Sequence, residues 1–130
     1  MSGLRLLIVD DMPQVRRELR TILPLAGTTV AMPIEIVGEA RDGQEAIQLV
    51  DALQPDVVLM DLEMPGMDGY RATQTIKVRY PHTPVVALTV HGDPASRMKA
   101  SEAGVDVFIE KGIPVTEIIR ALQTFEKKDQ

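Results

Sequence analysis

The chain has 130 residues, 45% hydrophobic and 25% charged, with a formal net charge of −5 and no cysteine. That length makes one domain with a well-buried core, and the missing thiols exclude a disulfide framework and a thiolate metal site and favour a reducing compartment. The acidic balance, with two Phe, two Tyr and no Trp, argues against direct nucleic-acid binding, and no apolar run is long enough to span a membrane, so a cytoplasmic location is expected.

Leu4 to Val9 is apolar apart from Arg5 and runs into Asp10-Asp11, which reads as a buried strand delivering carboxylates to its end. Pro13 suits a first helical turn, and Val15, Leu19, Ile22 and Leu23 recur at helical spacing, predicting a helix over 13–23 that Pro24 ends. Residues 24–33, bracketed by prolines and with neither period, read as a long loop on the face opposite the carboxylates, a tolerated insertion more than a partner contact. Ile34 to Val37 is a second strand closed by Gly38. Asp42 and Glu45 form a capping box before a helix whose apolar face is Ala46, Leu49, Val50 and Leu53.

Val57 to Met60, bounded by Pro55 and Pro65-Gly66, is a fully buried strand that exposes Asp61 at its end. Tyr70, Thr73, Ile76 and Lys77 lie on a third helix that stops at Tyr80-Pro81, and Pro84 opens a fourth strand, Val85 to Leu88, ending at Thr89. Asp93-Pro94 supplies an N-cap and a first-turn proline, Gly104 a C-terminal stop, and the polar helix between them has a weak apolar face and is expected to be loosely held. Val105 to Ile109 is a fifth strand ending at Glu110-Lys111, and Pro114 starts a last helix with the stripe Val115, Ile118, Ile119, Leu122 and Phe125. The domain is expected to span 1–126, with solvation setting in at Glu126 and a solvated tail over 127–130.

Five alternations of apolar strand and helix predict an α/β fold with a parallel sheet covered on both faces. Right-handed crossovers leave few topologies, and a flavodoxin-like (βα)5 three-layer sandwich of strand order 2-1-3-4-5 makes strands 1 and 3 neighbours at the switch point. Under that order, strand ends gather Asp10, Asp11, Asp61, Thr89 and Lys111 in one crevice. Two carboxylates about 4 Å apart repel by roughly 4 kcal/mol at an effective dielectric near 20, so three of them call for a cation. Oxygen-only ligands favour a hard ion, Mg²⁺. Lys111 offsets one charge but cannot satisfy all the carboxylate oxygens.

These residues resemble the receiver domains of two-component response regulators over nearly the whole chain. The matching segments are Leu7-Ile8-Val9-Asp10-Asp11, Val58 through Gly69, Leu88-Thr89 and Phe108-Ile109-Glu110-Lys111. The resemblance implies that Asp61 is a phosphoacceptor and that Asp10 and Asp11 hold Mg²⁺ with Asp61 and the Glu63 backbone carbonyl. It implies that Thr89 and Lys111 bind the phosphoryl group, and that Phe108 fills the space Thr89 vacates. The donor would be a phosphohistidine on a sensor histidine kinase or histidine phosphotransfer protein. Such a phosphoprotein is a signalling switch, not an enzyme acting on others, and promotes only its own phosphorylation and dephosphorylation. Its output would be an altered surface of helix 4, strand 5 and helix 5, through which a homodimer is also expected. The segment Ile36 to Ala46 is similar to receivers that precede LuxR-type helix-turn-helix domains, which favours the N-terminal part of a longer regulator over a stand-alone receiver.

The chain departs from the family in three places. Gly112 follows Lys111 where many receivers carry a cis proline, so a trans bond is expected. Val90 stands where a smaller residue is common, and Glu63 and His91 occupy the variable positions two residues beyond Asp61 and Thr89; Glu63, Val90 and His91 are expected to set the phosphorylation lifetime. Other readings are a Mg²⁺-dependent phosphohydrolase with an aspartyl nucleophile, a flavin-binding module and an unphosphorylated interaction module. The first places its nucleophile after strand 1, the second would meet repulsion from Asp11, and the third leaves the five site residues without a purpose.

Overall fold

A computed structural model describes residues 3–127. In chain order the elements are β1 (Leu4–Val9), α1 (Pro13–Thr28), β2 (Ile34–Ala40), α2 (Gly43–Leu53), β3 (Val57–Met60), α3 (Gly69–Arg79), β4 (Val85–Thr89), α4 (Pro94–Ala103), β5 (Val107–Glu110) and α5 (Val115–Gln123). The strands form one parallel sheet of order β2-β1-β3-β4-β5, as the alternation predicts. Side chains along each strand point alternately to the two faces. Leu7, Val9, Val58, Met60 and Ala87 therefore pack on one face against α2, α3 and α4. Leu6, Ile8, Val57, Leu59, Val86, Leu88 and Ile109 pack on the other against α1 and α5. Three strands buried on both faces leave their carboxyl ends as the natural place for polar groups.

Local chemistry sets most boundaries. Asp42, Asp68 and Asp93 each accept a hydrogen bond from the backbone three residues on, capping α2, α3 and α4. Glu45 accepts from the Arg41 N–H at 3.1 Å, one residue before the Asp42 N–H that a reciprocal capping box would use. Gly104, at φ +100°, closes α4 in the left-handed conformation. The only residues that α4 buries are Ala100 and Ala103, in keeping with its weak apolar face.

Four boundaries differ from expectation, each because a tertiary contact overrides local punctuation. First, α1 does not stop at Pro24 but runs to Thr28, leaving a connection of residues 29–33. Proline removes one backbone donor, and the Arg20 carbonyl left without it lies on the exposed side, while Leu23 and Gly27 stay buried on the inner side. A β-carbon at Gly27 would overlap the Met32 carbonyl and press on Ile34, so this glycine is a close-packing position. Second, β2 passes through Gly38 to Ala40, because the register slips from Leu6–Ile36 to Leu7–Gly38 and leaves Val37 as the extra residue. A β-carbon on Gly38 would stand 2.9 Å from Leu53. Third, β5 begins at Val107, not Val105: the Asp106 carboxylate instead accepts from the Val85 N–H at 2.7 Å and from Lys77 at 3.0 Å. Fourth, the solvated end does not begin at Glu126, which is only half-exposed, and Lys127 pairs with Gly3 through backbone bonds of 2.8 and 2.9 Å. The rest of the expected tail, 128–130, lies outside the described residues.

One internal group is mismatched. Thr73, fully buried on α3, has a hydroxyl with no hydrogen-bond partner among the described residues. Leaving a buried donor unmade costs about 1–3 kcal/mol, and a methyl group of similar shape removes that cost. Thr73→Val is accordingly expected to stabilise the protein by about 1 kcal/mol in urea unfolding; a loss of stability would contradict this account of the site.

Candidate functional site

The sheet register brings the acidic groups together. Val9 of β1 lies beside Met60 of β3, so the next residues, Asp10 and Asp61, leave the sheet side by side. The Asp61 N–H donates to the Val9 carbonyl at 2.9 Å, and the Asp10 N–H donates to the Ala40 carbonyl at 3.0 Å. These bonds hold both carboxylates at the sheet edge while burying them, Asp10 being 2% and Asp61 5% exposed. Asp10, Asp11 and Asp61 each offer one oxygen, all within 4.8 Å of one another.

Lys111 arrives from the end of β5, where its N–H donates to the Thr89 carbonyl at 2.7 Å. Its ammonium donates to Asp10 Oδ2 at 3.0 Å and stands 3.6 Å from Asp61 Oδ2. One positive charge thus faces three carboxylates. The Asp61 carboxyl is pushed up to about 6. Burial is the main cause; the Glu63 N–H, donating to Asp61 Oδ1 at 3.1 Å, and the Lys111 ammonium oppose it, and the Asp10 and Asp11 charges reinforce it.

The remaining expected residues lie on β4 and β5 and in the loops that follow β3 and β4. Thr89 ends β4 fully buried, its Oγ1 accepting from the His91 N–H at 3.3 Å. Phe108 on β5 is half-buried against the core on the α4 side. Glu63, Val90 and His91 are exposed, Val90 by 64%. Gly112 adopts φ +96°, and no cis peptide occurs among the described residues.

Two residues act here that sequence reasoning did not assign. Arg16 on α1 donates from Nη1 to the Asp10 carbonyl at 2.6 Å and stands 3.5 Å from Glu39 on β2, clamping the turn that carries the acidic pair. Its place six residues after Asp10 is the only signal in the sequence. Gly69 opens α3 where a β-carbon would overlap the Asp61 carbonyl and the Leu62 backbone, so the loop after Asp61 folds back only around a glycine. The Gly69 N–H then donates to the Leu62 carbonyl at 3.1 Å.

The donor set is all oxygen, carries excess negative charge and has no nitrogen or sulfur ligand, which suits a hard divalent cation such as Mg²⁺. Among the described residues, no helix is long and apolar enough to cross a membrane.

Comparison with known proteins agrees with this geometry. Residues 6–123 match the family model described as response regulator receiver domain. The chain is 34% identical over 125 residues to the chemotaxis protein CheY of Thermotoga maritima, covering 96% of this chain and 99% of that protein. It is 35% identical over 118 residues to the probable transcriptional regulatory protein NarL of Mycobacterium tuberculosis, covering 91% of this chain but only 52% of that protein. The chain therefore spans nearly all of one relative and about half of the other. Its fold superimposes on a LuxR-family two-component response regulator from Aurantimonas sp. SI85-9A1 with a TM-score of 0.84 at 31% identity, covering 94% of this chain and 84% of that one. Taken with the parallel sheet and the acidic crevice at its carboxyl edge, these matches place the chain in the response regulator receiver domain family of two-component signalling.

Proposed function

We propose that Asp61 accepts a phosphoryl group from a phosphohistidine on a sensor histidine kinase or histidine phosphotransfer protein, with Mg²⁺ held by Asp10, Asp11, Asp61 and the Glu63 backbone carbonyl. The observation that carries this reading is the cluster itself: three carboxylate oxygens within 4.8 Å, with the Lys111 ammonium 3.0 Å from Asp10 and 3.6 Å from Asp61. Mg²⁺, when bound, supplies the positive charge that lets carboxylates and phosphoryl oxygens share the crevice.

The chain's own residues do the rest. An Asp61 carboxylate oxygen attacks phosphorus, forming the O–P bond as the N–P bond to the donor imidazole breaks and the imidazole departs with its electron pair. Lys111 holds the negative oxygens of the transferred group. The Thr89 hydroxyl donates to one of them after leaving its contact with the His91 N–H, and Phe108 turns into the space beside β4. That pair of movements biases the surface of α4, β5 and α5, where a homodimer or an output partner would form. The chain catalyses only its own phosphorylation and dephosphorylation, and a longer protein with a second domain fits its half-length match to NarL.

Incubation with acetyl phosphate tests this directly. Intact-mass analysis is expected to show one phosphoryl adduct with Mg²⁺ and none with chelator; an adduct independent of the metal, or none at all, would overturn the proposal. Glu63, Val90 and His91, exposed around the crevice, are assigned the lifetime of the adduct through access of water. Glu63→Asn and Val90→Ala are expected to change its decay severalfold, and an unchanged decay in both would remove that role.

A further inference from the structure

Arg97, on α4, joins three parts of the molecule that the proposed switch has to move apart. Its guanidinium carbon stands 4.6 Å from the centroid of the Phe108 ring on β5. Its Nε donates to the Gly92 carbonyl in the β4–α4 connection at 3.0 Å, and its Nη2 donates to Glu110 Oε1 at 3.0 Å. A guanidinium can lie over an aromatic face and still bond sideways through its edge N–H groups, which an ammonium cannot do in the same geometry. Arg97 uses both modes at once.

The surroundings are shaped for it. A β-carbon on Gly92 would overlap the Glu110 carboxylate, so the glycine lets that carboxylate lie against the connection and meet Arg97. Phe108 and Arg97 also line a surface hollow of about 620 Å³ between β5 and α5, and the ring packs on the core as well.

We infer that Arg97 is a positioning residue, a latch that keeps the Phe108 ring at the surface and ties it to the β4–α4 connection. This rests on the reading above, in which Phe108 turns inward when Thr89 moves. An inward turn takes the ring away from the guanidinium, which is itself bonded to Gly92 and Glu110 and does not follow. The latch therefore opposes the phosphorylated arrangement. A partly solvated cation–aromatic contact of this kind changes a two-state ratio by about threefold to tenfold.

The chain has only two phenylalanines, and Phe125 packs on the opposite face of the sheet. Fluorophenylalanine labelling of the full chain thus gives two ¹⁹F resonances, one of them an internal control. The H₂O/D₂O solvent shift of each resonance reports ring exposure and is read without any phosphodonor. Arg97→Ala is expected to reduce the solvent shift of Phe108, because the released ring turns inward, and to leave Phe125 unchanged. A ring that merely lost its cover would show the opposite change. Gly92→Ala, which displaces the Glu110 carboxylate while keeping Arg97, is expected to act in the same direction, and Arg97→Lys to restore part of the wild-type value. With acetyl phosphate and Mg²⁺, Arg97→Ala is expected to be phosphorylated about threefold to tenfold faster. An unchanged or increased Phe108 solvent shift in Arg97→Ala overturns the latch, as does an unchanged phosphorylation rate. A wild-type chain that takes up no phosphoryl group overturns the Asp61 reading instead, and the solvent shift still decides the contact.

Discussion

Asp61→Asn is expected to abolish phosphoryl uptake and at the same time to stabilise the metal-free fold. The first effect follows from replacing the proposed nucleophile with an amide that cannot form an acyl phosphate. The second follows from burial. Asp61 is 5% exposed and its carboxyl is pushed from the ordinary 3.8 to about 6, so the folded chain holds a proton that the unfolded chain has already lost. Stability therefore falls as the pH rises from about 4 through 6, and above that window the ionised group costs roughly 2–3 kcal/mol. Asparagine carries no such penalty. Urea unfolding without divalent metal should show the variant more stable by about that amount at pH 7, with the difference closing towards pH 4. Equal stability at pH 7 would mean that the carboxylate cluster is compensated in a way the geometry does not show.

Lys111→Met separates the two positive charges assigned to the site. The ammonium stands 3.0 Å from Asp10 and 3.6 Å from Asp61, close enough to neutralise one carboxylate and to meet the oxygens of an incoming phosphoryl group. Removing one such preorganised donor typically lowers a rate by about 100-fold or more, and phosphorylation by acetyl phosphate is expected to slow by that order. Mg²⁺ binding should change in the other direction. With the competing cation gone, the three carboxylates attract a divalent ion more strongly, so Mg²⁺ should raise the melting temperature of Lys111→Met by more than that of the wild type. A variant that loses both phosphorylation and the Mg²⁺ effect would show that Lys111 builds the metal site instead of serving the transferred group.

The architecture and the acidic crevice are legible in the sequence for one reason. Val57–Met60 and Val85–Leu88 are continuous apolar runs, which only a strand buried on both faces explains, and each hands its final polar residue to the same edge of a parallel sheet. The register then follows from topology, and Asp10, Asp61, Thr89 and Lys111 converge. Pro24 and Gly38 were less readable because each is strong local punctuation with a tertiary use: Pro24 sits where its lost bond faces the exposed side of α1, and Gly38 makes room for Leu53 and Leu7. Arg16 and Arg97 are hardest to see. An arginine six residues from Asp10, or eleven from Phe108, carries no pattern of its own, because its long side chain selects its partners only once α1 and α4 are docked on the sheet.

The fold in turn favours Asp61 as the proposed nucleophile among three neighbouring acids. Asp10 is occupied on both oxygens, Oδ1 accepting from the Met12 N–H at 2.9 Å and Oδ2 from Lys111 at 3.0 Å. Asp11 lies one residue further from the sheet and is more exposed. Asp61 has Oδ1 fixed by the Glu63 N–H, while its Oδ2 has only the longer 3.6 Å approach of Lys111. That oxygen is the one left to react. Borohydride reduction of the acetyl-phosphate-treated protein, which converts an aspartyl phosphate to homoserine, followed by peptide mapping, tests this most directly. Homoserine at position 61 alone is the expected result; homoserine at Asp10 or Asp11, or at none of the three, would contradict the account.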